Sequence, residues 1–190
     1  MPETRIRRHP ERSVPHEYQN ILDEGRVAHV GFCRNGQPYV IPFSYHYEIE
    51  QPDRLYLHGS QASRALQYLA DGAAVCIEVS LLDGLIYSRT AIDHSMNYRS
   101  AVCFGRARWI AENSEKAALF EKMISRYFPG RTAECDYEIP AETHLQKTAM
   151  LEVKIEAWSA KARRGGPNGP KDSQTDAPGT AGVVLLNNSA

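Results

Sequence analysis

The chain has 190 residues, of which 42% are hydrophobic and 24% are charged, and its formal net charge at pH 7 is −1. This composition is typical of one globular domain, and the balanced charge gives no electrostatic reason to expect a nucleic acid or an anionic membrane as partner. No apolar run approaches the roughly 18 residues needed to cross a bilayer, and no apolar stretch follows the basic N-terminus as in a signal peptide. We therefore expect a cytoplasmic protein.

The first third of the sequence predicts an extended arm, a helix and a β-hairpin. Residues 1–12 are rich in Arg and Pro and predict the arm, and "VPHEYQNILDEG" has apolar residues at helical spacing. "NG" at 35–36 predicts a hairpin turn, and the second strand of this hairpin runs from about residue 39 to 48. Pro42 lies inside that strand and has no N–H for a ladder. It predicts an edge, or a backbone that faces something other than a neighbouring strand.

Further elements alternate along the rest of the chain. "RLYLHGS" is a third strand, and "SQASRALQYLADG" is a short helix with Ser60 as its N-cap. "AAVCIEVSLL" and "LIYSRTAI" predict a hairpin around a "DG" turn at 83–84. A strand from about Tyr98, a helix capped by Ser114 and a last strand, "TAMLEVKIEAWSAKAR", follow. From Arg164 onward the sequence is rich in Gly, Pro and Asp and predicts little regular structure.

Six or seven short strands with two or three helices predict a mainly β (α+β) fold, a small antiparallel barrel with helices packed outside. The barrel domain is expected over 13–163, between the arm at 1–12 and an irregular tail at 164–190.

A phosphate site is one interpretation of "LYLHGSQASR". A strand ends there in a small-residue turn and a helix begins, so free backbone N–H groups, the hydroxyls of Ser60 and Ser63 and the guanidinium of Arg64 could face one space. The alternative is a capped helix with a solvated arginine.

The polar segment "DHSMNYRS", residues 93–100, precedes an apolar strand. The polar end of a barrel strand lies at the mouth, where ligand sites form. Four residues there offer donors, an aromatic face and a positive charge suited to a planar ring: Asn97, Tyr98, Arg99 and Ser100. His94 is a candidate proton donor or axial ligand. A triad of Asp93, His94 and Ser95 is disfavoured, because consecutive side chains are poorly placed to converge.

Metal and dinucleotide motifs are missing. The four cysteines form no C-x-x-C pair, and no H-x-x-x-H or H-E-x-x-H spacing occurs, so we expect no metal site. No P-loop or G-x-G-x-x-G is present.

Several motifs together resemble the pyridoxamine 5′-phosphate oxidase-like family of flavin-binding split barrels, in the branch that includes nitroimidazole-resistance proteins. They are "GQPYVIPFSY", "LYLHGSQASR", "LLDG", "HSMNYRSAVCFGRARWI", "PGR" and "SAKARRGGP". The resemblance covers about Arg12 to Leu185. It implies a six-stranded split β-barrel, usually a homodimer, with FMN in two equivalent sites at the subunit interface.

The resemblance also implies roles for particular residues. The FMN phosphate would bind at His58, Gly59, Ser60, Ser63 and Arg64, and the backbone of Val40, Ile41, Pro42 and Phe43 would lie along the flavin ring. "NYRS" would approach the cofactor across the dimer interface, and Lys161 and Arg163 resemble a basic segment that reaches the partner's site. The C-terminal signature of the vitamin B6 oxidases is missing, so pyridoxamine 5′-phosphate oxidation is not implied.

Two functions follow as hypotheses. The first is an FMN-dependent oxidoreductase acting on a small planar substrate, in which His94 would deliver a proton. The second is a non-enzymatic flavin or haem binding module, a carrier or sensor.

Overall fold

Six antiparallel strands form a closed ring. The computed structural model describes residues 3–186; residues 1–2 and 187–190, the outer ends of the predicted arm and tail, lie outside the described residues. Round the ring the order is β1-β2-β3-β6-β5-β4, and β4 pairs back to β1. The six strands are β1 (Val27–Arg34), β2 (Gln37–Tyr47), β3 (Arg54–Ser60), β4 (Ala74–Tyr87), β5 (Ser95–Trp109) and β6 (Thr148–Arg163). The predicted mainly β, six-stranded antiparallel split barrel is confirmed.

The helices lie outside this ring. They are α1 (Tyr18–Glu24), α2 (Arg64–Ala70), α3 (Asn113–Tyr127) and a single turn, α4 (Glu142–Gln146), which the sequence analysis did not predict. Among the described residues, none of these helices has the length and apolar character that a membrane crossing requires.

The barrel interior and one covered outer face supply the two hydrophobic cores. Leu57, Ile77 and Leu151 are fully buried inside the ring, and burying each such side chain contributes about 1.5–3 kcal/mol. Because side chains alternate along a strand, the neighbours of Leu57 on β3 point outward. Tyr56 belongs to a second cluster, in which α3 covers the outside of β3 and β6.

The hairpin predicted around "DG" at 83–84 is wrong. β4 continues through this point, and a bulge between Leu82 and Gly84 absorbs the extra residue. A glycine inside a strand marks a bulge or a close approach as readily as a turn. A Cβ on Gly84 would come within 3.0 Å of the Val184 carbonyl oxygen, so the glycine allows a neighbouring strand to approach.

That neighbouring strand lies in the tail. Gly182–Leu185 forms β7, which pairs antiparallel with the end of β4. The Asp172 carboxylate ties the tail to the barrel, accepting hydrogen bonds from Ser88 Oγ at 2.8 Å and from the Arg89 backbone N–H at 2.9 Å. Composition alone did not predict β7, because its partner supplies the ladder.

One half of β2 has a free edge. β2 pairs with β1 along residues 37–44, but with β3 only from Tyr45 to Tyr47. Pro42 lies in the part that has no strand of the described chain on its second side, which confirms the edge predicted from that proline. The free edge leaves alternate backbone N–H and C=O groups available to a ligand.

Candidate functional site

An open pocket of about 260 Å³ lies between α2 and the β1–β2 hairpin, and we call it the α2 pocket. It is lined by Phe32, Arg34, Tyr39, Ile41, Ser63, Arg64 and Ala65. Three of these, Ile41, Ser63 and Arg64, are candidate residues from the sequence. The other four were not predicted, although the "NG" turn places Arg34 beside this rim.

Two guanidinium groups give the α2 pocket its charge. Within the part of the chain that the structure describes, neither the Arg34 nor the Arg64 guanidinium forms a hydrogen bond or an ion pair. The guanidinium of Arg34 lies over the ring of Tyr68, 5.5 Å from its centroid. Two cations without a carboxylate at one pocket favour an anionic ligand.

The turn before α2 differs in detail from the prediction. Ser63, not Ser60, is the N-cap, and its Oγ accepts a hydrogen bond from the Leu66 backbone N–H at 3.4 Å. Ser60 Oγ accepts from the backbone N–H of Ala62 at 3.2 Å. The helix therefore begins one turn later than predicted, which brings Ser63 and Arg64, but not Ser60, to the pocket lining. A Cβ on Gly59 would come within 2.9 Å of Leu66 Cδ1, so this glycine lets α2 pack closely on β3.

The free edge of β2 borders the same pocket. Ile41 and Phe43 are half-buried and pack against the core, whereas Val40 and Pro42 point to the opposite, exposed face. Val40 is 69% exposed. A planar ring lying along this edge would meet backbone groups on one side and Ile41 at the pocket, as the resemblance implies for a flavin.

A second pocket, the α3 pocket, lies on the other face of β2 and β3. It has a volume of about 300 Å³ and is lined by Ser44, His58, Phe120, Met123, Ile124, Tyr127 and Phe128. The ring of His58 makes an edge-to-face contact with Phe120, with 5.3 Å between centroids. The structure thus places His58 away from Ser63 and Arg64, because it points outward from β3 under α3.

The imidazole of His58 is incompletely paired, and its surroundings disfavour the charged form. Its Nδ1 is buried and has no hydrogen-bond partner among the described residues. Burial lowers the pKa of His58, because the charged imidazolium would lose its hydration. A neutral imidazole against apolar walls is available as a ligand.

Arg126 fixes α3 over this pocket. Its Nη1 donates to the Tyr45 carbonyl at 2.6 Å, and its Nη2 lies 2.8 Å from each of the carbonyl oxygens of Leu22, Asp23 and Gly25. The guanidinium also lies 4.8 Å from the ring centroid of Tyr45. One side chain therefore connects α3, β2 and the end of α1.

A third group of predicted residues lies on β5 and β6 and lines neither pocket of this chain. In it, Tyr98 pairs with Arg163 and Ser100 with Lys161 across the two strands. Arg163 donates from Nη1 to Asn97 Oδ1 at 2.7 Å, and Lys161 Nζ donates to the Arg8 carbonyl at 3.2 Å.

Arg99, from the same segment, is held within the chain. Its guanidinium bonds the carboxylates of Asp83 and Glu24 at 2.7–3.0 Å, and these hydrogen bonds raise the pKa of Arg99. His94 is exposed at the start of β5, with Nδ1 3.2 Å from the Thr90 carbonyl oxygen. Within one chain, neither Arg99 nor His94 lines the α2 pocket.

Among residues 3–186, no group of three or more His, Cys, Asp and Glu side chains is arranged to hold a metal ion. All four cysteines are free thiols. Burial raises the pKa of the Cys103 thiol to about 12, so this cysteine is an inert core residue.

Comparison with solved structures finds related barrels. The FAD and haem binding protein from Mycobacterium smegmatis is 32% identical with a TM-score of 0.81, over 92% of this chain and 84% of that chain. The flavocytochrome Anf3 from Azotobacter vinelandii is 29% identical with a TM-score of 0.81, over 100% of this chain and 88% of that chain. A protein proposed to be a 5-nitroimidazole antibiotic resistance protein from Bacteroides thetaiotaomicron shares the fold, at 23% identity and a TM-score of 0.63, over 79% of this chain and 86% of that chain.

A search of the curated proteins finds no match. The sequence profile of the family described as pyridoxamine 5′-phosphate oxidase matches residues 15–162, which is more than half of the chain. The chain therefore belongs to the pyridoxamine 5′-phosphate oxidase-like family.

Proposed function

We propose that this protein binds a flavin, with the flavin phosphate in the α2 pocket, and acts as an oxidoreductase on a small planar substrate. The observation that carries the proposal is that the guanidiniums of Arg34 and Arg64, which have no hydrogen-bond or ion-pair partner within residues 3–186, meet at a pocket bordering the free edge of β2. An anion site beside unpaired strand backbone suits a ligand that has a phosphate at one end and a polar-edged ring at the other.

The residues present fit such a ligand. Arg64 would grip the phosphate through charge-assisted hydrogen bonds, and the Ser63 hydroxyl would donate to it. The backbone of residues 40–43 would orient the ring, and Ile41 would exclude water from one side of it. A bound flavin supplies the redox chemistry. FMN contains every part that these residues would hold.

The relatives support a flavin. Both solved structures near 30% identity are described as flavin proteins, one of them explicitly as an FAD binder. The two structures match more than nine tenths of this chain. We therefore extend their class of cofactor, a flavin, to this protein.

We propose that the functional unit is a homodimer. The outer parts of β4, β5 and β7 expose neighbouring apolar side chains, Leu82, Leu85, Tyr87, Met96, Val184 and Leu185, each at least 37% exposed. A second copy could cover this surface and bring its Asn97 to Ser100 segment, Lys161 and Arg163 towards the pocket. His94 as proton donor requires the same arrangement, because His94 is remote from the pocket of its own chain. Light scattering would give the mass of a dimer if the proposal is correct and of a monomer if it is wrong.

Spectroscopy of the purified protein tests the proposed activity. We expect flavin absorption bands, bleaching under anaerobic NADH or NADPH, and recovery on adding a quinone or a nitroaromatic compound. A colourless protein whose melting temperature does not change with added FMN would contradict flavin binding, since a ligand at a hundredfold excess over its Kd stabilises by about 2.7 kcal/mol. A flavin that binds but is never turned over would support a carrier instead.

A second candidate function is flavin and haem binding together, and the α3 pocket favours it. His58 presents a neutral imidazole with an unpartnered nitrogen to apolar walls, and both relatives near 30% identity are described as haem or cytochrome proteins. The His58 imidazole would hold a haem there through its iron, and Phe120 and Met123 would pack against it. Titration with haemin, followed through the Soret band, is the test.

A cytoplasmic location remains part of the proposal. The four cysteines are free and two of them, Cys33 and Cys135, are exposed, which fits a compartment that keeps thiols reduced.

A further inference from the structure

The exposed face of β2 continues onto β1 and β4. Along the free segment of β2, Val40 and Pro42 point to this face, and Pro42 pairs with His29 of β1. His29 pairs in turn with Glu78 of β4. Directly paired residues of neighbouring strands lie side by side on one face of a sheet, with about 5 Å between their Cβ atoms. Pro42, His29 and Glu78 therefore lie in one line across three strands.

The Glu78 carboxylate holds the imidazole of His29. Nδ1 of His29 donates to Glu78 Oε2 at 3.2 Å, and the other carboxylate oxygen accepts a hydrogen bond from Ser80 Oγ. Because a carboxylate only accepts, this contact places a hydrogen on Nδ1 and leaves Nε2 to gain or lose a proton. The His29 side chain is 49% exposed, so a small molecule can reach the ring.

Glu78 is the charged group that faces His29. On β2, Val40 and Ser44 flank the partner of His29 on this face, and neither titrates. On β4, Cys76 also points to this face. Burial, and to a lesser extent the charge of Glu78, raise the pKa of the Cys76 thiol, which therefore stays uncharged at neutral pH. A carboxylate beside an imidazole stabilises the imidazolium once the ring takes up a proton.

These residues lie beside the proposed flavin ring. Ile41 would exclude water from one side of a ring along residues 40–43, and a substrate would then take the opposite side, to which His29 points. We infer that His29 transfers a proton to the substrate and that Glu78 is its positioning residue. The inference rests on the proposed flavin site. It deepens that proposal by naming a proton donor in the same chain, whereas His94 would need a partner subunit.

The proton transfer can be written in full for a quinone as substrate. The quinone accepts a hydride, which carries two electrons, from the reduced flavin, and one further proton completes the hydroquinone. The Nε2–H bond of the His29 imidazolium breaks, and its proton goes to the second quinone oxygen. Glu78 remains a carboxylate throughout, and water returns a proton to Nε2 before the next turnover.

The first measurement needs no turnover. The flavin-free protein with ¹⁵N-labelled histidine is titrated with FMN, and the imidazole signals are followed by NMR; His29→Gln identifies the His29 signal. We expect this signal to move in step with FMN occupancy, because the flavin ring would lie beside the strand that pairs with His29. The His16 signal, from a side chain that is 79% exposed, should not move.

The second measurement is the rate at which a quinone reoxidises the reduced holoprotein under anaerobic conditions. His29→Gln should lower the limiting rate about 100-fold or more, because general acid catalysis contributes about 10²–10⁴-fold. The quinone concentration that gives half the limiting rate should change less than threefold. Added imidazole should restore part of the rate, and His16→Gln should react like the wild type. Since His29 is exposed, melting temperature and FMN affinity should stay at their wild-type values.

Glu78→Gln tests the positioning role. The amide keeps the shape of the side chain but removes the charge that stabilises the imidazolium. The limiting rate falls as the pH rises and the donor loses its proton, and in Glu78→Gln we expect this fall about one pH unit lower or more. A variant that combines both substitutions should be no slower than His29→Gln alone, because the two residues act as one unit.

Four results would overturn the inference and leave the flavin site standing. FMN could bind without moving the His29 signal, His29→Gln could keep the wild-type limiting rate, Glu78→Gln could keep the wild-type pH profile, or the rate could be lost in His94→Gln instead. A wild type that binds FMN but is not reoxidised by a quinone would overturn the inference together with the proposed activity. Failure of the wild type to bind FMN would overturn the flavin site as well.

Discussion

The two pockets on either side of β2 have opposite chemistry. Among the described residues, the α2 pocket has two arginines without acidic partners and an unpaired strand edge, whereas the α3 pocket has apolar walls and one half-buried imidazole. Guanidiniums open to solvent recruit an anion. Apolar walls keep the imidazole neutral and exclude water. One small barrel thus offers sites for two different classes of ligand.

The pockets are also close. Ile41 lines one and Ser44 lines the other, three residues further along the same strand, which corresponds to about 10 Å. Side-chain alternation sends neighbouring positions of β2 to opposite faces, so a single strand can serve both pockets. A substitution that lines one pocket can therefore be tested for its effect on ligand binding in the other pocket.

The largest effect that we expect is the loss of haem binding when His58 is replaced. If haem binds in the α3 pocket, His58→Ala should remove the Soret band of the haemin complex, because the His58 imidazole is the proposed iron ligand, and added imidazole should restore the band. Flavin binding should remain within twofold. His16→Ala, at a side chain that is 79% exposed, serves as the control. A haem spectrum that is unchanged in His58→Ala would contradict the assignment of the α3 pocket.

The second largest expected effect is the loss of stability when Arg126, which holds α3 on the barrel, is replaced. Arg126→Met should lower the free energy of unfolding by about 2–4 kcal/mol, because four backbone carbonyls lose a charged donor. Flavin affinity should be unchanged, since α3 does not line the α2 pocket. Urea denaturation measures the effect, with Arg131→Met, at an exposed arginine of the loop after α3, as control. A decrease in the free energy of unfolding below about 1 kcal/mol would mean that water satisfies the four carbonyl oxygens about as well as the guanidinium does.

The pH dependence of stability gives a smaller effect. Burial lowers the pKa of both His58 and His46, the latter against an opposing hydrogen bond that His46 donates to the Glu48 carboxylate. Below about pH 6.5 the unfolded chain takes up protons on these imidazoles, whereas the folded chain does so only at lower pH. The stabilisation is therefore complete above pH 6.5 and is lost as the pH falls towards the folded pKa, by at most about 1.4 kcal/mol per pH unit for each histidine.

His58→Phe should remove its share of this dependence while filling the same space. Urea unfolding of the unligated protein at pH 7 and pH 5.5 makes the comparison. Carboxylates contribute equally to the wild type and the variant, so the difference in slope isolates His58. Equal slopes would show that the imidazole of His58 is hydrated.

The sequence predicts the barrel well, because strand alternation and turn residues are local signals. Pro42 indicated the free edge, and Ser63 and Arg64 indicated the α2 pocket. The bulge at Gly84 and the strand β7 could not be predicted, since both depend on which segment lies alongside. Arg34 was missed because its part in the pocket arises from the packing of α2 against the β1–β2 hairpin. His58 was placed with the phosphate residues by its position in a motif, whereas the alternation of β3 sends it to the other face.

FMN titration of Arg64→Ala tests the central claim most directly. Because the guanidinium is proposed to bind the phosphate and has no partner among the described residues, the variant should melt at the wild-type temperature without ligand and bind FMN about 10- to 100-fold more weakly. Arg131→Ala, in contrast, should bind like the wild type. Equal FMN affinity in Arg64→Ala and the wild type would contradict the assignment of the phosphate to the α2 pocket.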